Sequence, residues 1–164
     1  KKEVVAVEKE IKTNAMRLLE KAGLPFVIHT YECDGFLDGV TVAQKVGMSV
    51  TKTFKTLVAV GKSKQYYVFV LPVAEELDLK KAAQSAGEKS VEMIPVKDIN
   101  KLTGYVRGGC SPIGMKKRFL TVIHDSALLH ETIMFSGGRL GSQIEMKPQE
   151  LSQLLKVRFC DIIK

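Results

Sequence analysis

Phe54-Lys55-Thr56-Leu57-Val58-Ala59-Val60 and Tyr66-Tyr67-Val68-Phe69-Val70-Leu71, with Gly61-Lys62-Ser63-Lys64 near the junction, decide how this chain is organised. Both runs are short and rich in β-branched and aromatic residues, and the glycine-bearing segment between them reads as a hairpin turn. Upstream, Ile11, Ala15, Leu18, Leu19 and Ala22 recur at helical spacing and put one apolar face on a first helix. Gly23 and Pro25 stop it, and Phe26 to Tyr31 reads as a strand. A glycine- and aspartate-bearing loop runs from about Glu32 to Gly39, and a short helix from about Thr41 ends at Gly47. Downstream, Asp78 caps a helix with Leu79, Ala82, Ala83 and Ala86 on its apolar face, and Gly87 follows it. Short strands are expected at 91–94, 119–123, 131–135 and 143–146. Pro95 opens a short helix ending near Leu102, and Pro148 opens a last one with Leu151, Leu154 and Leu155 inward. Helices and strands mix without strict βαβ alternation. The fold class is therefore α+β, or α/β with a mixed sheet, in one domain without an internal linker.

The chain has 164 residues, 45% hydrophobic and 26% charged, which suits one globular core. Its formal net charge of +7 fits a polyanionic partner, and equally a solvated basic surface. Cys33, Cys110 and Cys160 are odd in number and form no CxxC pair, which argues against a disulfide framework or a thiolate zinc site and points to a reducing, cytoplasmic setting. No apolar run approaches the ~18 residues of a membrane span. The lysine-rich start lacks a signal-peptide core, and the first residue, Lys1 rather than Met, suggests a processed chain.

The candidate chemistry lies in three places. Lysines are mostly exposed, so Lys55 reads first as a solvent-facing strand end and second as an ammonium in a cleft, binding a phosphate, carbonyl or oxyanion. Gly104-Tyr105-Val106-Arg107-Gly108-Gly109-Cys110-Ser111-Pro112-Ile113-Gly114 holds four glycines and a proline in eleven residues. Its backbone N–H groups could hold an anion or a developing oxyanion, or could serve a turn that only needs positive φ. Ser136-Gly137-Gly138-Arg139 is a second glycine turn, either a wall of the same pocket or a plain connection. Cys110 invites a nucleophile reading. Nothing in the spacing pairs it with His29, His124 or His130, and a lone cysteine is more often a small buried hydrophobe. The histidines form no metal-ligand pattern, so no metal is expected. Lys116-Lys117-Arg118, with Arg107 and Lys80-Lys81, are candidate phosphate contacts or ordinary surface charge.

In this order, these pieces resemble the YbaK family of free-standing aminoacyl-tRNA deacylases, whose fold also serves as the editing domain of many prolyl-tRNA synthetases. The likeness runs from about Lys12 to Ile163. It rests on the Thr13-to-Leu19 helix, Ile28-His29-Thr30-Tyr31, Lys55-Thr56-Leu57, Pro72-Val73-Ala74, the Leu77-to-Ala83 helix start, Gly104-Tyr105, Gly108-Gly109, Ser111-Pro112, Lys116-Lys117-Arg118, Ser136-Gly137-Gly138 and Ile144-Glu145. It implies an N-terminal extension over 1–11, a deacylase domain over 12–164, and a barrel-like mixed sheet flanked by helices. It implies a catalytic set of Lys55, Gly108, Gly109 and Ser111, and substrate contacts from Tyr31, Thr56, Pro112, Ser136, Gly137, Gly138 and Gln143. Arg107, Lys116, Lys117 and Arg118 would contact tRNA. Gln143 stands where many relatives carry Asp; it can accept a hydrogen bond but offers no charge to a substrate ammonium. The implied substrate is Cys-tRNA(Pro), with Cys-tRNA(Cys) as a further one and prolyl-tRNA synthetase as a partner. The implied reaction needs no cofactor: the bound cysteine's own thiol attacks its ester, and the protein orients it and stabilises the oxyanion. A hydrolytic Ala-tRNA(Pro) deacylase and a non-catalytic tRNA- or synthetase-binding module are the alternatives.

Overall fold

The computed structural model describes residues 12–164. The expected extension over 1–11, and Ile11 of the first helix, lie outside the described residues. Helix α1 (Asn14–Ala22) starts where the Thr13 hydroxyl accepts the Met16 N–H, and it ends at Gly23, whose φ of 71° an L side chain would resist. It buries Ala15, Met16 and Leu19. Strand β1 (Val27–Thr30) follows, then α2 (Gly39–Val46), capped by Asp38. Strands β2 (Phe54–Gly61) and β3 (Tyr66–Pro72) form the expected hairpin, in register from Phe54 opposite Pro72 to Val60 opposite Tyr66. Gly61 N–H donates to Gln65 O at 2.8 Å and closes the turn. Helix α3 (Leu79–Ala86), capped by Asp78, strand β4 (Val91–Met93) and a short helix α4 (Ile99–Thr103) come next. The chain finishes with β5 (Leu120–His124), β6 (Ile133–Ser136), β7 (Ser142–Met146) and β8 (Val157–Cys160).

Two sheets result. One is antiparallel, in the order β1-β7-β6; the other is mixed, in the order β4-β2-β3-β5-β8, with β3, β5 and β8 parallel. Period-two alternation gives the larger sheet two buried faces. Phe54, Val58, Val68, Val70 and Ile123 pack with α1 and the smaller sheet, through Met16, Leu19, Phe135 and Ile144. Tyr67, Phe69, Leu71 and Val122 pack on the other side with Ala82 and Ala83 of α3 and with Ile162. Each fully buried Leu, Ile or Phe contributes about 1.5–3 kcal/mol.

The expected barrel-like sheet does not form. β4 pairs only with Ala59–Gly61 at the end of β2, while β6 touches its start through a single parallel bridge, Thr53 to Met134. Among the described residues no strand is hydrogen-bonded to the edge of β2 between these contacts, although β6 packs near its start, and closure would need a continuous ladder there. Three further differences are local. β8 was not expected from sequence; it is a short, half-buried edge strand. Leu79 stands 45% exposed at the first turn of α3, so that helix buries alanines alone. The segment opened by Pro148 is a 3-10 helix (Pro148–Gln153) that buries Leu151 fully. Among the described residues no helix is long and apolar enough to cross a membrane.

Candidate active site

The uncovered stretch of β2 opens into a cavity of about 420 Å³. Lys55, Thr56, Arg107, Gly108, Ser136 and Gln143, all singled out in the sequence, line it together with Cys110. Lys55 lies on β2 opposite Leu71 and is half-buried. Its ammonium makes one long donation, 3.4 Å to Val73 O. Burial pushes its pKa below the ordinary 10.5, against the pull of Glu76 and Glu75. A lysine so weakly satisfied is available to an anionic or carbonyl oxygen.

Thr56 Oγ1 is buried and has no hydrogen-bond partner. Such an orphan costs about 1–3 kcal/mol unless a ligand meets it. Val58 O accepts from Ile94 N–H at 3.2 Å, so the Val58 peptide groups face the β4 side. Ladder alternation directs the Thr56 peptide groups, two residues earlier, to the same side, where no strand covers them. Gln143 is 5% exposed. It sits on β7 between His29 and Ser136 and presents a neutral amide to the cavity.

Three loops meet above β2. Gly108 has φ +82°, and a Cβ there would lie 2.8 Å from Phe36 Cδ1 and 3.0 Å from Leu140 Cδ2. At Gly109 a Cβ would meet backbone, 3.0 Å from Arg139 Cα and 3.1 Å from Leu140 N. The glycine pair is therefore what lets the 106–114 loop seat against both the 32–38 loop and the 136–141 turn. Tyr105 fixes the far end of this loop. Its hydroxyl donates to Ile113 O at 2.6 Å, and burial, with Cys110 next, pushes its pKa to about 12. The Thr13 hydroxyl donates to Gly137 O, and Gly137 N–H donates to Ser142 O at 2.8 Å, which tie down the second turn. Ser136 Oγ accepts the Gly138 N–H at 3.2 Å and keeps its own proton to donate.

Other expected site residues lie elsewhere. Ser111 is fully buried, and its hydroxyl accepts the Ile113 N–H at 3.3 Å. Tyr31 lines a separate cavity of about 390 Å³ beside Arg139 and Gly141. Pro112, Lys117 and Arg118 border a smaller hollow of about 110 Å³, and Lys116 Nζ reaches Lys101 O at 3.5 Å. Gly137 and Gly138 shape the turn behind Ser136. Sequence reasoning missed the apolar mouth of the main cavity, which includes Phe36, Met93 and Val96. An aromatic residue in the Asp34-Gly35-Phe36 loop was the available signal.

Among the described residues no enzyme nucleophile is assembled. Burial pushes the Cys110 thiol to about 11, so it stays protonated at neutral pH. His29, His124 and His130 are not among the cavity's lining residues. His29 Nε2 is 2.8 Å from Glu145 Oε1. His124 Nδ1 accepts the Ser126 N–H at 3.1 Å, and its Nε2 lies 3.3 Å from Asp161 Oδ1. The cavity thus offers the desolvated Lys55, the Arg107 guanidinium, the Asp38 carboxylate, hydroxyl and amide groups and exposed peptide groups: equipment to hold and polarise an ester.

Known proteins resemble the chain in sequence and in fold. The chain is 42% identical over 152 residues to EbsC of Enterococcus faecalis, described as a candidate Cys-tRNA(Pro)/Cys-tRNA(Cys) deacylase, covering 92% of this chain and 93% of that protein. It is 28% identical over 111 residues to YwhH of Bacillus subtilis, a protein without a described activity, covering 68% of this chain and 70% of the other. The fold matches the crystal structure of a candidate trans-editing enzyme for prolyl-tRNA synthetase with a TM-score of 0.81 and 24% identity, over 94% of this chain and 99% of that one. Residues 38–154 match the aminoacyl-tRNA editing domain, and the chain belongs to that family.

Proposed function

We propose that the protein is a trans-editing deacylase that clears cysteine from mischarged tRNA, with Cys-tRNA(Pro) as substrate and Cys-tRNA(Cys) as a second one. The observation that carries this reading is the half-buried, under-partnered Lys55 beside the orphaned Thr56 hydroxyl and the glycine loop, in a cavity without a base-activated nucleophile. Residues 12–164 form the editing domain and 1–11 an extension. The protein acts in the cytoplasm, alongside prolyl-tRNA synthetase.

In the proposed reaction the substrate's own thiol loses its proton and its sulfur attacks the ester carbonyl carbon. The carbon–oxygen bond to the ribose breaks, the ribose oxygen takes a proton, and a cyclic thiolactone leaves. Lys55 holds the ester end of the tRNA. Thr56 and the peptide group at Gly108 face the developing oxyanion, while Gly109, whose N–H donates to Val106 O at 2.9 Å, keeps that loop in place with Ser111 and Tyr105. Gln143 and Ser136 accept hydrogen bonds from the amino group, with Tyr31, Pro112, Gly137 and Gly138 bounding the wider site. Arg107, Lys116, Lys117 and Arg118 contact phosphates. Positioning of this kind can supply about 7–11 kcal/mol, and each preorganised oxyanion donor about 3–4 kcal/mol.

The test is release of labelled amino acid from Cys-, Ala- and Ser-tRNA(Pro) by purified protein, with product mass recorded. Cysteine-selective release with a thiolactone product is expected. Preference for alanine and a free amino-acid product would replace this reading with the hydrolytic one, and no release from any of the three would leave a binding module.

A further inference from the structure

We propose that Phe36 and Arg107 form a stacking platform that holds the unpaired terminal purine of the tRNA, a proposal that rests on the deacylase reading of the neighbouring cavity. The Arg107 guanidinium carbon lies 4.2 Å from the centroid of the Phe36 ring. That is a cation–π pair with the guanidinium over the aromatic face. The ring remains 50% exposed, at the mouth of the cavity that holds Lys55. Its edge rests on Gly108, where even a methyl group would lie 2.8 Å from Cδ1. The platform is therefore built onto the same loop that faces the ester. Exposed apolar side chains extend the surface: Val96 is 56% exposed and Val106 51%.

These features select a nucleobase. A flat aromatic paired with a guanidinium plane offers a surface on which any base can stack, and the two nearby cations suit the attached sugar–phosphate. Covalent chemistry supplies the spacing. In every aminoacyl-tRNA the amino acid is esterified to the ribose of the terminal adenosine, so an ester held at Lys55 brings the purine to within one ribose of the cavity mouth. The platform then sets register: stacking the base fixes where the ester falls relative to Thr56.

The probe is an uncharged acceptor-stem minihelix ending in CCA with 2-aminopurine as the terminal base, whose fluorescence falls on stacking. Wild-type protein is expected to quench it saturably. Phe36→Leu is expected to weaken binding about tenfold and to abolish the quench, without changing the slope of affinity against salt. Arg107→Lys, which keeps the charge and loses the plane, is expected to lose the quench with a smaller loss of affinity. Unchanged melting temperatures establish that the variants fold. Absence of quenching with wild type, or Phe36→Leu binding and quenching as wild type does, overturns the platform even if Cys-tRNA(Pro) is deacylated. If no charged tRNA is deacylated while quenching still depends on Phe36, the proposed reaction fails and the platform stands.

Discussion

Gly109→Ala is the most informative single change in this protein. Gly109 is not among the residues of positive φ, so an alanine there meets no intrinsic backbone penalty. What it meets is main chain: Arg139 Cα at 3.0 Å, Arg139 C at 3.1 Å and Leu140 N at 3.1 Å. Ordinary contact begins near 3.5–4.0 Å, so the 106–114 loop and the 136–141 turn must separate by roughly half an ångström or more. Inserting a methyl group into such a seam costs about 1–3 kcal/mol. For a chain of this length that lowers the melting temperature by roughly 2–4 °C per kcal/mol. Activity should suffer far more, because the displaced loops carry Gly108 and Ser136, and a misplacement approaching 1 Å can cost about 100-fold. Gly87→Ala is the control. Gly87 has φ +73° and nothing within 4 Å of its Cβ, so alanine costs about 1 kcal/mol at the α3 C-cap, away from the cavity. The assay is kcat/KM for cysteine release from Cys-tRNA(Pro), with thermal melting of both variants. The reasoning predicts a drop of about 100-fold for Gly109→Ala and none for Gly87→Ala, at comparable melting temperatures. Wild-type kcat/KM in Gly109→Ala would refute the claim that the seam between the two loops sets the geometry of the site.

Two further predictions follow from the titratable groups. Lys55 has a folded pKa below its ordinary 10.5, so the folded state holds its proton less tightly, and the charge costs stability at neutral pH until pH rises through that window. Lys55→Met should therefore raise the melting temperature at pH 7 by a few degrees while deacylation falls by at least about 100-fold; a lower melting temperature or retained activity contradicts this. Cys110 is the reverse case. Its thiol, raised from 9.0 to about 11 by burial, holds its proton longer when folded, so its contribution is complete below pH 9 and is lost as pH rises to about 11. The loss, on the order of a few kcal/mol, is read from urea unfolding across that range, and Cys110→Ala should flatten the slope while retaining most of the activity. An equally steep slope in that variant, or a dead but folded protein, goes against the assignment.

Much of the frame was legible because it rests on local rules. The hairpin of β2 and β3 follows from two β-rich runs around Gly61. Gly23, Gly47 and Gly87 close their helices because each takes up the left-handed conformation that favours glycine. What stayed hidden depends on the tertiary arrangement. Val157-Arg158-Phe159-Cys160 has too little alternation to announce a strand, and becomes one because β5 offers it a parallel edge. The open edge of β2 cannot be read from β2 itself, since it depends on how little of that strand β4 and β6 cover. For the same reason the orphaned Thr56 hydroxyl and the desolvation of Lys55 were out of reach, although both residues had been singled out. Ser111 and Phe36 mark the limits of motif reading in opposite directions: a hydroxyl in a glycine loop that holds the loop together, and an aromatic in a polar loop that turns out to crown the cavity.

The distribution of protons ties the cavity to its chemistry. Hydrolysis by water or by an enzyme nucleophile calls for a base poised near neutrality within reach of the ester. The groups around this cavity lie far from that condition: the Asp38 carboxylate is lowered by the Thr41 N–H, the Cys110 thiol is raised to about 11 and, on the adjoining loop, the Tyr105 hydroxyl to about 12, and burial lowers the Lys55 pKa from 10.5. The histidines that could serve are held at Glu145 and at Asp161, in the β1–β7 pair and beside β8. Under the proposed function, a site so equipped would accelerate a reaction whose nucleophile arrives with the substrate and would discriminate by what that nucleophile can do. Serine, nearly isosteric with cysteine, would occupy the same space, but its hydroxyl is a much weaker acid than a thiol, and the carboxylate in the cavity wall, Asp38, is made a weaker base by the Thr41 N–H it accepts. In the proposed reaction selectivity would then reside in the substrate's own reactivity, and the protein's part would be to hold the ester, through Lys55, Thr56 and the glycine seam, in the one geometry where that reactivity counts.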